Sequence, residues 1–230
     1  MNTVIVMTHS SKIESNDASL VHKPFIKIEP LTFNQTLLSV HYDWIIFSSK
    51  NAVKYFKPYL SQSHFKQVAV IGKKTAAYCE KEGIEVDFYP ADYSQEGFLA
   101  ECPIHAEENV LIPSSKAARP YLVEQLRECG ITVQKIDLYQ PQPDLENIKA
   151  VVQLIENNEV AAVTFASSSA VRYFFDYLDG KSLQFHRYIV IGKQTLQTIQ
   201  QYGQSAIQSD EPTIDAMIQK AKEGKQNNGF

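Results

Sequence analysis

The chain has 230 residues and a net charge of −4, with 22 Lys and Arg against 26 Asp and Glu; 44% of it is hydrophobic and 21% charged. That is ordinary globular composition, long enough for one large or two small domains, and its acidic balance argues against a broad nucleic-acid surface, which needs a concentrated basic face. No window approaches eighteen apolar residues and the opening MNTVIVMTHSSK is too short an apolar run for a signal peptide, so neither membrane insertion nor export is expected and the cytoplasm is.

Short runs rich in Val, Ile and Phe predict strands at Val4–Met7, Phe25–Ile28, Trp44–Phe47, Val68–Ile71, Val86–Tyr89, Val110–Ile112, Val133–Leu138, Ala162–Phe165, Tyr188–Ile191 and Ser205–Ile207. Between them, segments of helical period predict helices at Asn51–Leu60, Thr75–Glu82, Ser94–Glu101, Ala118–Cys129, Leu145–Asn157, Ser169–Leu178, Thr195–Gln201 and Thr213–Lys222. Gly83, Gly130 and Gly203 fall just past three of these helices, where a left-handed residue ends a helix. The closing GKQNNGF reads as a frayed polar tail. The alternation predicts an α/β fold with parallel sheets covered on both faces.

The chain also repeats itself. FSSKNAV (47–53) returns as FASSSAV (165–171), and IGKKT (71–75) returns as IGKQT (191–195). Ala52 and Ala170 stand 118 residues apart, and Gly72 with Gly192, Thr75 with Thr195 and Gly83 with Gly203 stand 120 apart. The economical reading is a duplication: two similar parallel-sheet α/β domains facing one another across a cleft. The repeats leave residues 1–30 and the stretch Tyr139–Pro143 outside both copies. Five strands per sheet then require the two N-terminal strands to join the C-terminal copy. The expected domains are 1–30 with 142–230, discontinuous, and 31–141, inserted, with two extended crossings at Pro30 and the QPQP stretch (140–143).

In open α/β sheets ligands bind beyond the carboxyl ends of strands, where helix N-termini offer unpaired N–H groups. Ser48, Ser49, Lys50 and Asn51 follow one predicted strand, and Ser167, Ser168 and Ser169 follow another. Such residues also serve as plain helix caps, so one turn alone decides nothing. Gly72 and Gly192 would let backbone approach a ligand, followed by Lys73, Lys74 and Thr75 in one copy and Lys193, Gln194 and Thr195 in the other. No GxxxxGK[ST] or GxGxxG accompanies them. PSSKAAR (113–119) supplies Ser114, Ser115, Lys116 and Arg119 after a further strand. The six cations Lys50, Lys73, Lys74, Lys116, Arg119 and Lys193 thus gather at strand ends in an acidic chain, and carboxylates are the ligand groups they suit.

No hydrolytic or metal constellation is visible. Cys79, Cys102 and Cys129 lack CxxC spacing, and His9, His22, His41, His64, His105 and His186 are scattered. Tyr139 ends a strand just before the proline-rich crossing, where its phenol could donate a hydrogen bond to a ligand.

The order FSSKNAV, IGKKTAAYCEKEGIEV, NVLIPSSKAARPYLVEQLRECGITVQKIDLYQ, VTFASSSAV, IGKQTLQTIQQYG and EPT resembles the uroporphyrinogen-III synthase family over nearly the whole chain, 4–222. The resemblance implies two α/β domains joined by a two-stranded linker. It implies conversion of hydroxymethylbilane to uroporphyrinogen III by a monomer without metal or cofactor, with loss of water and inversion of the last ring. It also implies transient contact with the preceding bilane-forming enzyme. The family's strand-end tyrosine maps onto Tyr139, placed to help the bilane hydroxyl leave, and the serine and threonine turns would grip the substrate's eight carboxylates. Three departures stand out: His9 follows Thr8 where the family often has arginine, Lys50 and Ser168 replace a usual proline, and Lys193 follows Gly192 where proline is usual. A non-catalytic two-domain protein that closes on a small anion is the alternative reading of the residues alone.

Overall fold

The structure, a computed structural model, describes residues 3–10 and 16–226. In chain order the first half holds β1 (Val4–Met7), β2 (Leu20–His22), β3 (Ile26–Pro30), β4 (His41–Phe47), α1 (Lys50–Phe56), β5 (His64–Val70), α2 (Lys73–Lys81) and α3 (Gln95–Glu101). The second holds β6 (Asn109–Ser115), α4 (Tyr121–Glu128), β7 (Thr132–Pro143), α5 (Leu145–Glu156), β8 (Val160–Phe165), α6 (Ser168–Leu178), β9 (Tyr188–Val190), α7 (Lys193–Gln201), β10 (Ile207–Gln208) and α8 (Ile214–Gln226). The chain divides into two compact units, residues 1–27 with 142–230 and residues 28–141.

The inserted unit carries a five-stranded sheet of order β3-β7-β6-β4-β5, in which β4 pairs in parallel with β5 and β6, and β6 with β7. Alternation along β4 sends Ile45 and Phe47 into a core with Phe56, Val70 and Tyr139, and Trp44 and Ile46 into a second core with Phe98, Ile112 and Leu126. A sheet buried on both faces explains why these strands read as continuous apolar runs. The discontinuous unit has the order β10-β9-β8-β1-β2, with every neighbouring pair of strands parallel. One face packs Phe165, Phe174, Phe175 and Tyr188 under α5, α6 and α7, and the other packs Ile5, Met7, Ala162 and Ile189 under Met217 and Ala221 of α8. Phe25 joins the first of these cores, its ring stacked on Phe174 at 5.3 Å.

Several expectations are corrected. The run Phe25–Ile28 does not form a strand of the discontinuous unit: Phe25 plugs that unit's core while residues 26–30 lie beside β7 in the other sheet. The second strand beside β1 is instead Leu20–His22, three half-buried residues too short to give a period. Val86–Tyr89 shrinks to one bridge, Ala69 with Phe88. The same place in the other unit holds Ile189 paired with Ile207 of the equally brief β10. The helix expected from Ala118 starts at Tyr121, because Pro120 keeps Arg119 out of the helical region. Pro58 ends α1 in a 3-10 stretch from Lys57 to Gln62. The QPQP stretch stays extended as the end of β7. Helix α8 continues into the expected tail as far as Gln226, and the last four residues lie outside the described residues.

The duplication is legible at atomic detail. Ser49 and Ser167 cap α1 and α6 with nearly equal backbone angles (φ −161°, ψ 159° and φ −158°, ψ 152°), each hydroxyl accepting from the alanine N–H three residues on. Helices α2 and α7 both follow a glycine cap and run nine residues to left-handed Gly83 (φ 76°) and Gly203 (φ 70°). Removing the Ser167 hydroxyl leaves that N–H of Ala170 without its partner. Ser167→Ala is therefore expected to lower stability by about 1 kcal/mol in urea unfolding, and an unchanged midpoint would show that the cap contributes nothing.

Candidate active site

In the inserted unit β4 and β5 run parallel and in register to Phe47 and Val70, so the turns after them emerge at one edge. Ile71 N donates to Phe47 O at 3.3 Å, tying the glycine turn to the serine turn. Ser49 then opens α1 and Gly72 opens α2, aiming two helix N-termini at the space beyond the strands. Gly72 has an extended backbone (φ −132°, ψ 144°), and a Cβ there would meet nothing within 4 Å. Neither conformation nor packing requires glycine at that position.

Strand β6 ends at the same edge in Ser114 and Ser115, with Ser115 in register with Tyr139 of β7. Ser114 is buried, its hydroxyl 3.4 Å from Ser115 O, and the Ser115 hydroxyl accepts from Ala117 N. Both side chains thus have local partners, and the turn is separated from α4 by residues 116–120. Arg119 pairs with Glu96 at 3.3 Å. Among the described residues Lys50, Lys73, Lys74, Lys116 and Lys193 have no ion-pair partner.

Tyr139 is 6% exposed and its ring stacks on Tyr55 at 5.2 Å. Its Oη lies 2.9 Å from Ser49 Oγ, which also accepts from Ala52 N, while its carbonyl accepts from Lys116 N at 2.8 Å. One serine therefore caps α1 and fixes the phenol. Burial pushes the Tyr139 phenol above the ordinary tyrosine range; the Ser49 hydrogen bond acts the other way and Tyr55 adds a small upward push. The phenol is a protonated donor throughout neutral pH. If Ser49 donates its own proton to Oη, the Tyr139 proton is left for another acceptor.

In the discontinuous unit the paired turns frame a depression of about 540 Å³ lined by Ser167, Ser168, Ser169, Gly192, Lys193 and Thr195. Ile191 N donates to Phe165 O at 3.0 Å, matching the other copy. Gly192 is fully extended (φ −178°, ψ 179°) with open space before its Cα. Thr75 and Thr195 are both almost completely buried, though Thr195 reaches the depression.

Two contributors escaped the sequence reading. Arg172 also lines the depression, and its signal was present: it stands 118 residues after Lys54, so both copies carry a cation one turn into the helix. Thr198 Oγ1 lies 2.8 Å from Ser168 Oγ and 2.9 Å from Gln194 O, locking the serine turn to α7. No local pattern marks it, because the contact spans 30 residues. Among the described residues no three His, Cys, Asp or Glu side chains are placed to hold a metal, and no helix is long and apolar enough to cross a membrane.

These features define a duplicated α/β protein whose strand-end turns, open glycines and unpaired cations suit anionic groups, with a protonated phenol at one strand end. The sequence profile of the uroporphyrinogen-III synthase HemD family matches residues 8–219. The chain is 26% identical over 227 residues to a porphyrin biosynthesis protein HemD of Ruminiclostridium josui, covering 92% of this chain but only 45% of that longer protein. It is 22% identical to a uroporphyrinogen-III synthase of Synechococcus elongatus, covering 91% of this chain and 87% of that one. The crystal structure of uroporphyrinogen-III synthetase from Helicobacter pylori has the same fold, with a TM-score of 0.64 at 20% identity over 97% of this chain and 99% of that chain. The chain belongs to the uroporphyrinogen-III synthase family, and with it to the enzymes of porphyrin biosynthesis that act on a small molecule.

Proposed function

We propose that this chain is a cyclising hydro-lyase that closes hydroxymethylbilane to uroporphyrinogen III, and that Tyr139 assists departure of the bilane hydroxyl. The observation that carries the reading is the Tyr139 phenol, protonated, buried and fixed by Ser49 at a strand end. The hydroxymethyl carbon loses its oxygen as water, taking up the donated proton, and the cationic carbon is attacked by the substituted carbon of the last ring. A spiro intermediate follows; the bond joining the last ring to its original bridge breaks and a new one forms at that ring's free carbon, inverting the ring, and the proton this carbon loses replaces the one the phenol donated. No oxidant or reductant enters the balance.

Positioning is the larger task, since the bilane can close unaided to the non-inverted type I isomer. Each tenfold preference over that closure takes about 1.4 kcal/mol of selective barrier lowering. Holding substrate carboxylates on the N–H groups that open α7, with Lys193 and Arg172 nearby, supplies such restraint without chemistry, and the turn that opens α2 with Lys73 offers the same kind of grip within its own unit.

Incubation of the protein with enzymatically generated hydroxymethylbilane, followed by isomer separation, tests the proposal. Type III uroporphyrinogen is the expected product. Type I alone, at the rate of the protein-free control, would sink it.

A further inference from the structure

The segment between α2 and α3 is tied down on both sides, yet leaves two aromatic rings outside, Tyr89 and Tyr93, of which Tyr93 borders a depression. Val70 N donates to Phe88 O at 2.9 Å, and the Phe88 ring packs edge-on against Phe98 at 5.6 Å. Ala91 N donates to the Glu101 carboxylate at 3.2 Å, and Ser94 Oγ accepts from Gly97 N at 2.9 Å while donating to Asp92 at 2.8 Å. A Cβ at Gly97 would stand 2.4 Å from Asp92 O, so the segment is pressed onto the first turn of α3. Tyr93 sits among these anchors, and it is 52% exposed. Neither a loose loop nor core packing accounts for that ring.

Tyr93 forms one wall of a depression of about 570 Å³, with Gly72, Lys73, Lys74 and Ala77 as the others. The atoms facing the depression are almost wholly apolar, so the two lysines contribute methylene stems and carry their ammonium groups at the rim. A flat aromatic wall, an apolar floor and unpaired cations at the margin match a flat heterocycle with acidic side chains. They do not match a bare anion, which would leave the apolar wall unused, or an apolar side chain, which would leave the cations unused.

We propose that Tyr93 is a substrate-contacting residue, its ring packing on the face of one carboxylate-bearing pyrrole ring of the tetrapyrrole while Lys73 and Lys74 face that ring's acid side chains. This rests on the synthase reading above and adds a subsite to it. Aromatic faces prefer offset stacking with centroids about 4.5 to 7 Å apart, a spacing the open depression allows.

The test is steady-state, isomer-resolved kinetics on enzymatically generated hydroxymethylbilane with wild type, Tyr93→Ala and Tyr93→Phe. Because the ring is largely exposed, both variants are expected to unfold at the wild-type midpoint. Tyr93→Ala is expected to raise KM about tenfold, equivalent to about 1.4 kcal/mol, with kcat within roughly twofold. Tyr93→Phe, which keeps the ring face, is expected to stay within roughly twofold on both. An unchanged KM in Tyr93→Ala, or a loss confined to kcat, would overturn the proposal. Wild-type protein that yields type I isomer alone would instead overturn the synthase reading, and this subsite with it.

Discussion

Tyr139→Phe is expected to remain folded while forming type III uroporphyrinogen roughly 10- to 1,000-fold more slowly, about 1.4 to 4 kcal/mol at the barrier. The ring that stacks on Tyr55 at 5.2 Å is kept, and so is the core contact of a residue only 6% exposed. Only the Oη contact with Ser49 goes, and Ser49 still accepts from Ala52 N and still caps α1. The expected stability loss is therefore about 1 kcal/mol, the net worth of one hydrogen bond. The range in rate reflects how well water can enter and donate in place of the phenol. Since burial raises the phenol's pKa above the usual tyrosine value, wild-type activity is expected to show no alkaline decline from Tyr139 until above about pH 10. Rate measurements across pH on both proteins, with urea unfolding beside them, check this. Wild-type rates in the phenylalanine variant would make the phenol a bystander and leave catalysis to positioning.

Much of this arrangement was legible in the sequence because it is local. The serine caps, the glycine caps and the helices behind them are set by residues within one turn of each other, and the 118- and 120-residue offsets doubled each signal. Tyr139 was reached by its place at a strand end. Its partner was not, because Ser49 lies 90 residues away and only strand order brings β7 near α1. Strand membership failed for the same reason: residues 25–28 form one apolar run, but Phe25 packs on Phe174 while Ile26–Pro30 lie beside β7, and no local pattern marks that division. Arg172 could have been found by carrying the repeat one helical turn further. Ser114 was read as ligand-facing on a serine-rich motif, and its burial at the end of β6 was not legible there, because it follows from a strand covered on both faces.

The open glycines give the other large expected effect. Gly192→Ala is expected to lower affinity for uroporphyrinogen III roughly 10- to 100-fold while changing stability by no more than about 1 kcal/mol, the scale of an imperfect helix cap. The backbone there is fully extended (φ −178°, ψ 179°), which any residue adopts, and a Cβ would meet no atom within 4 Å. A methyl group at that position has nothing to disturb in the protein. It does occupy the space before the first N–H groups of α7, on the wall of the depression that also holds Lys193 and Arg172. A carboxylate kept from those N–H groups loses charge-assisted hydrogen bonds worth about 1.5 to 3 kcal/mol, which sets the expected range. Gly72→Ala, equally open and extended, is expected to behave alike in the other unit. Product titration and KM, with unfolding midpoints as control, give the readout. If both variants bound as wild type does, the glycines would be mere turn residues and the strand-end turns would lose their claim to the substrate's carboxylates.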